Sequence, residues 1–403
     1  MTPFQSVERE AIVVVVVQQR WILPIAMFLA LVPVTLLVPG LDELVVVRHG
    51  GSDAAAHGFM TANMLAGMIA VPIVMRRLRR LGDLRGWLVT LFLVDALAFF
   101  GMGRAPSLNV LFAFRMLDGA VHLPAVTLLM VAANRVAGDK RGASLGALAS
   151  ALMLGITVGS PLGGRLVEMG GSTVYDVGAI VFLLAAAVSL LAPATSPSAD
   201  APRGSRYRWQ WRRAESWVPL GYAFMDRFSI GIFVSTFTLF LSREHQVGPA
   251  GRGWLVALFM IPFAALCYPV GRLAERVGWF PLLIAGNVAF GLVYGTYGLM
   301  PIGLMPVSMV LSGLASAFIF APSLLLVSDL VRRGNGEGLF GIFQIAGSLG
   351  FLLGPMVGGI LVAVTGGDGR PAYEAIFMMV GVAELGLALG TMALRRGFAI
   401  RQA

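Results

Sequence analysis

The stretch Gly159-Ser160-Pro161-Leu162-Gly163-Gly164, GSPLGG, returns as GPMVGG at Gly354–Gly359, an offset of 195 residues in a chain of 403. Gly155 and Gly350 extend the two copies, so that Gly155, Gly159 and Gly163, and again Gly350, Gly354 and Gly358, stand at i, i+4 and i+8. On a helix such glycines form one face on which a second backbone can approach closely, and the proline in each copy adds a bend. A single stripe of small residues is weak evidence; two copies at matching positions divide the chain into two repeats. Pro124 likewise has a counterpart in Pro322, and Gly82 in Gly278.

The medium in which those helices pack follows from composition. With 57% hydrophobic and 13% charged residues and a mean hydropathy of +0.82, the chain is an integral membrane protein. Twelve apolar segments are long enough to span: 21–41, 55–75, 86–103, 107–132, 144–167, 174–194, 217–241, 253–272, 279–299, 302–330, 338–364 and 371–394. The expected fold is all-α, with twelve transmembrane helices in two pseudo-symmetric six-helix bundles, residues 1–195 and 217–403. Between them, 196–216 is the one extended polar stretch, alternating arginine with Tyr207, Trp209 and Trp211, and it reads as a cytoplasmic linker lying on anionic lipid. The valine run Val13–Val17, broken by Gln18, Gln19 and Arg20, reads as interfacial or as an extension of the first helix rather than as a cleaved signal.

The net charge of +9 does not point to nucleic acid, because the basic residues sit in short turns between apolar segments. If the N-terminus is inside, 22 of the 30 Lys/Arg fall on the cytoplasmic side and 6 outside, while Arg115 and Arg227 lie within spans. The positive-inside rule then places both termini in the cytoplasm. The lone cysteine, Cys267, allows no disulfide framework and reads as core filling. No His, Cys and Asp cluster at metal-ligand spacing and no phosphate-cradling glycine loop with lysine occurs, which argues against a metal cofactor, ATP-driven transport and enzymatic hydrolysis.

Within the fourth segment Arg115, Asp118 and His122 stand at i, i+3 and i+7, a charged stripe on one helical face in an apolar medium. Arg115 reads either as an arginine satisfied by Asp118 and helix carbonyls, holding the first half together, or as part of a coupling site. His122 reads either as a packed, hydrogen-bonded residue or as a proton relay. The seventh segment brings Asp226 and Arg227, which as helix neighbours lie about 100° apart and so are not expected both to point into one cavity. Ser308, Ser312, Ser316 and Ser323 gather on one face of the tenth, either to bind a ligand or to let helices pack closely. Asp95 and Glu384 read as isolated acids in structural or interfacial roles. Asp42 and Glu43 close the first helix on the outside, placed to steer cations, and His49, His57 and His245 read as solvated loop residues.

These residues resemble the major facilitator superfamily over essentially the whole chain, and its drug:proton antiporters in particular. Gly271-Arg272-Leu273-Ala274-Glu275-Arg276-Val277-Gly278 is similar to that superfamily's G-x-L-A-[DE]-R-x-G loop, in which an acid and an arginine can latch one conformation. The first-half loop departs from it, with Met75 for the glycine and Arg79 for the acid, beside Arg80, Gly82 and Asp83. Arg115 with Gly119 resembles the R-x-x-x-G motif, whose arginine is associated with proton coupling in the family's exporters. Gly155, Gly159, Pro161, Gly163 and Gly164 resemble the antiporters' G-x-x-x-G-P-x-x-G-G, with Pro161 one place late; Gly350, Gly354, Pro355, Gly358 and Gly359 fit its spacing fully.

The resemblance implies that the first, fourth, seventh and tenth helices line a central cavity, and parallel repeats put a substrate site near the midplane. It makes Asp118, Arg115, Asp226 and His122 the proton-coupling candidates, and Arg227, Ser308, Ser312 and Ser316 the substrate-cavity candidates. The function expected is export of a small organic solute in exchange for protons, by a monomer in a bacterial inner membrane. A symporter or facilitator for a metabolite or organic anion is the alternative, and a non-transporting sensor on the same scaffold is a third.

Overall fold

The computed structural model describes residues 21–81, 84–136, 141–192, 217–330, 338–365 and 369–394. They are all-helical. We number the membrane helices α1 (Trp21–Gly40), α2 (Asp53–Leu81), α3 (Leu84–Gly103), α4 (Leu108–Val136), α5 (Arg141–Met169), α6 (Thr173–Ser189), α7 (Val218–Arg243), α8 (Pro249–Val277), α9 (Trp279–Gly295), α10 (Met305–Leu330), α11 (Gly338–Val364) and α12 (Arg370–Ala393). Eleven are long and apolar enough to cross a membrane. The exception is α6, whose 17 residues rise about 25 Å, a little short of a hydrocarbon core of about 30 Å. The linker and Gly82 and Asp83 of the first-half loop lie outside the described residues.

The residues form two compact units. The first contains the described residues up to Leu37 and from Leu65 through α6; the second contains Val38–Met64 and everything from α7 onward. This differs from a division at the central linker: the end of α1, the turn after it and the first turns of α2 belong with the later helices. Charge explains the difference, because the acids of this segment find their cations on α7 and α8, as described below.

In the first unit α5 lies along α1 on its glycine face. A Cβ on Gly155 would stand 2.7 Å from Phe28 O, and one on Gly159 would stand 2.5 Å from Val32 O. In the second unit α11 meets α7 in the same way, with Gly350 against Phe224 O and a Cβ on Gly354 2.5 Å from Phe228 O. Each pair thus approaches backbone to backbone, a distance any side chain would block. The rest of the first unit is built by α3 packed on α4 and α6, with Phe92, Phe99, Tyr175 and Phe182 buried between them. In the second, α8 packs on α10 and α9 on α12, around Phe237, Tyr294, Tyr297 and Phe377. Prolines inside α2, α4, α5, α8, α10 and α11 are tolerated because neighbouring helices can satisfy the carbonyls they free. A π turn at Asp42–Val47 follows α1, and α7 passes into one at Phe233–Phe237.

Replacing Gly159 or Gly354 by leucine is expected to destabilise the protein by about 1–3 kcal/mol or more through overpacking. Gly386→Ala, where no heavy atom lies within 4 Å of the added Cβ, is expected to stay within about 0.5 kcal/mol. Unfolding of the purified variants in detergent checks both; equal losses at all three positions would remove the distinction between packed and open glycines.

Candidate functional site

In the first unit the stripe on α4 keeps its single face. Arg115 and Asp118 are 0% and 1% exposed, and Arg115 Nη1 donates to Asp118 Oδ2 at 2.7 Å. His122 Nδ1 lies 3.2 Å from Asp95 Oδ2, and its ring is edge-on to Phe182 of α6. Asp95 is therefore no isolated acid: one of its carboxylate oxygens lies within 4.8 Å of one of Asp118's, and no donor among the described residues reaches its Oδ1. A hairpin explains the meeting. Asp95 stands 8 residues before the end of α3, and Arg115 and Asp118 stand 7 and 10 residues into α4, so antiparallel packing brings them level.

One oxygen each of Asp95 and Asp118 and a ring nitrogen of His122 lie within 4.8 Å of one another. The sequence spacing suggests no such grouping, since the members come from two helices. Charge argues against a divalent ion there: with Arg115 already on Asp118, two carboxylates and a dication would leave one uncompensated positive charge in an apolar surround. Three ligand atoms beside a guanidinium also fall short of the six or more oxygens a calcium ion takes.

In the second unit a small pocket opens among α7, α10 and α11, lined by Asp226, Arg227, Phe320, Ser323, Phe343 and Gln344 with two small residues. Both Asp226 and Arg227 reach it, against the expectation that neighbours on a helix cannot. Arg227 curls back so that its Nε donates to Asp226 Oδ2 at 3.3 Å, and Gly347 of α11 leaves the space its stem occupies. Of the serine face, Ser323 lines the pocket. Ser308, Ser312 and Ser316 are buried in the packing of α10: Tyr297 Oη donates to Ser312 Oγ at 2.6 Å, and Ser308 Oγ donates to Leu304 O at 3.3 Å. Gln344 was missed in the sequence; its only signal is a lone amide in an apolar run. Glu384, for which the sequence suggests a structural or interfacial role, is 1% exposed and accepts from Ser229 Oγ at 2.8 Å, while Asn287 donates to its backbone oxygen.

A third constellation ties Val38–Met64 into the second unit. Arg243 Nη2 lies 2.8 Å from Asp42 and 2.7 Å from Asp53. Ser242 Oγ donates to Asp42 at 2.6 Å and Tyr373 Oη to Asp53 at 3.0 Å, and Arg252 pairs with Glu43. Asp42 is thus buried in an ion pair rather than open to steer cations. His57, read as a solvated loop residue, is fully buried between Asp53 O at 2.8 Å and Thr236 Oγ1 at 2.9 Å, against the glycine pair Gly358 and Gly359. His245 is half-buried under Phe240; burial, with Arg370 near, lowers its pKa below the usual histidine value. His49 is also half-buried, its Nδ1 2.7 Å from Leu44 O. Cys267 is only half-buried on α8.

The loop motif Gly271–Gly278 closes α8, with Gly278 at φ +86°, a conformation that favours glycine. Glu275 and Arg276 are exposed and form no ion pair among the described residues; Arg272 stacks on the Tyr268 ring.

The sequence matches the family model described as Major Facilitator Superfamily over residues 23–241 and 220–397. Multidrug resistance protein 2 of Bacillus subtilis (strain 168) is 28% identical over 145 residues, 36% of this chain and 36% of that protein. Multidrug resistance protein 1 of the same organism is 25% identical over 142 residues, 35% and 36% of the two. The matches thus span about a third of these relatives' length. Among solved structures, the nucleoside transporter NupG superposes with a TM-score of 0.74 at 13% identity, covering 93% of this chain and 98% of that one. A bacterial homologue of the human lysosomal transporter Spinster, inward-facing and unoccupied, gives 0.70 at 14%, covering 98% and 96%. These likenesses carry the fold.

The Arg243 cluster makes its own prediction. Arg243→Gln leaves Asp42 and Asp53 buried without their cation, at an expected cost of about 3 kcal/mol, the low end for a buried pair because Arg243 is 27% exposed. Adding Asp53→Asn is expected to recover part of that loss, and a double-mutant cycle on unfolding in detergent measures the coupling. Strictly additive losses would show that the pair contributes nothing.

Proposed function

This chain belongs to the major facilitator superfamily, and on that premise we propose that it exports a small organic solute by alternating access in exchange for protons. The observation that carries the proposal is the Arg115–Asp118 ion pair, fully buried with Asp95 and His122 in the membrane-spanning part of the first unit. A membrane protein carries such a group of charges at a cost of several kcal/mol per unpaired member, about the level at which a functional reading becomes the default. The partial similarity to two multidrug resistance proteins favours export.

In this reading Asp118 and Asp226 are the coupling acids of the two units, Arg115 holds Asp118 in place, and His122 passes the proton. The pocket around Asp226 and Arg227 takes part of the solute, with Gln344 and Ser323 supplying neutral hydrogen bonds and Phe320 and Phe343 an apolar wall. Solute and proton then compete for the same negative charge, and each shifts the population of states that binds it better. The protein acts as a monomer in a bacterial inner membrane with both termini in the cytoplasm, as the distribution of Lys/Arg over the loops favours. A second reading, a symporter or facilitator for a metabolite or organic anion, draws on the 36% exposure of the Arg227 side chain at the pocket.

Proteoliposomes holding the purified protein and a cationic dye such as ethidium separate the two readings. Export by antiport is expected to drive dye into vesicles whose lumen is acidic; accumulation only when the outside is acidic would establish symport instead. Asp118→Asn is expected to keep dye counterflow and lose the response to the pH gradient. Retention of both would end the coupling role of Asp118.

A further inference from the structure

The charge count in the first unit leaves a remainder. Asp118 is matched by Arg115 at 2.7 Å, but Asp95, 0% exposed, has among the described residues a histidine at 3.2 Å and an oxygen of the Asp118 carboxyl group within 4.8 Å. Among the described residues, the elements packed on this site are otherwise uncharged where they face it. From α6 comes the Phe182 ring, and the acid of that helix, Asp176, is paired with Arg104 at its other end. From α2, Gly67 meets Gly119 and Leu123. The described charges of α5, Arg165 and Glu168, lie in its last turns. Among the described residues, two carboxylates against one guanidinium give the site a net charge of −1. An ion in such surroundings neutralises itself by taking up a proton.

We propose that Asp95 and Asp118 form a carboxyl pair that holds one proton between them, with Asp95 as its seat. Two like charges in contact cannot both stay ionised, and Arg115 decides which one does. Its guanidinium donates to Asp118, so Asp118 remains the carboxylate and accepts the hydrogen bond that a protonated Asp95 donates. The oxygen of Asp95 that no donor reaches is then a donor itself. A sodium ion would balance the same charge, but two carboxylate oxygens and one imidazole nitrogen give it half a coordination shell, whereas a proton needs only the two oxygens. The inference rests on the proton-coupled reading only for the use made of that proton, whose loss returns the site to −1 and leaves a charge for a cationic solute or an incoming proton to neutralise.

Infrared difference spectra of the purified protein between alkaline and acidic pH test this without any substrate. The carbonyl-stretch band of protonated carboxyl groups is expected to lose the contribution of one group in Asp95→Asn and the same contribution in Asp118→Asn, since removal of either acid leaves the other balanced by Arg115. Arg115→Gln is expected to double it, because both acids must then be neutral. His122→Gln is expected to leave it in place, and Asp95→Glu to shift it without loss, which shows that the site tolerates substitution. A spectrum unchanged in Asp95→Asn would overturn the proposal, as would a band absent from the unsubstituted protein and gained in His122→Gln, which puts the proton on imidazole. Loss on adding sodium chloride at fixed pH would assign the site to sodium. If the band behaves as expected but no pH gradient drives dye transport, the pair stands and the antiport reading falls; the opposite result removes the pair alone.

Discussion

Where no water reaches, every ion must find its partner inside the protein, and this constraint organises the polar residues of the chain. Arg115 on Asp118, Arg243 between Asp42 and Asp53, and Arg252 on Glu43 are each an answer to it. The answers lie at different levels of the chain. The first is local, three residues apart on one helix. The other two join Val38–Met64 to α7 and α8 across about two hundred residues of sequence, and they are the reason that segment belongs with the later helices. Where the count of cations falls short, as at Asp95 and Glu384, hydroxyl groups, a histidine or a proton must complete it.

The second organising contact is between backbones. In each unit a glycine face lets one helix lie directly on another, α5 on α1 and α11 on α7, with the same residues of the repeat touching. In lipid there is no hydrophobic force to press helices together, so close contact and dispersion do that work. Helices held this closely are rigid platforms. The charged stripe of α4 and the Asp226–Arg227 pair of α7 stand on such platforms or beside them, and their geometry is fixed by helix packing instead of by loops. Gly358 and Gly359 add a further use of the same face, since they seat the ring of His57.

How much of this the residues announce depends on range. The stripe at Arg115, Asp118 and His122 is legible because helical period alone sets it. Asp95 is visible as an acid in an apolar run, but its partners are on another helix; only reflection through the α3–α4 turn would have matched them. The angle between successive Cα–Cβ bonds parts Asp226 from Arg227, but a long arginine side chain can bend back when a glycine clears its path, so both line one pocket of the second unit. The serines of α10 show the reverse: their spacing puts them on one face, and Ser308 and Ser312 are buried and hydrogen-bonded within the protein.

Sequence by itself determined the membrane class, the number of helices, the repeat and its glycine faces, because each is a matter of local hydropathy, helical period and spacing. It also determined that three ionisable groups share one face of α4. Tertiary structure alone decided which acid meets which cation: Asp95 with His122 and Asp118, Asp53 with Arg243 and Tyr373, Glu384 with Ser229. The physical reason is that charges in an apolar interior pair by distance in space, and which helix comes to lie beside which is fixed by the packing of whole helices, not by the order of residues along the chain.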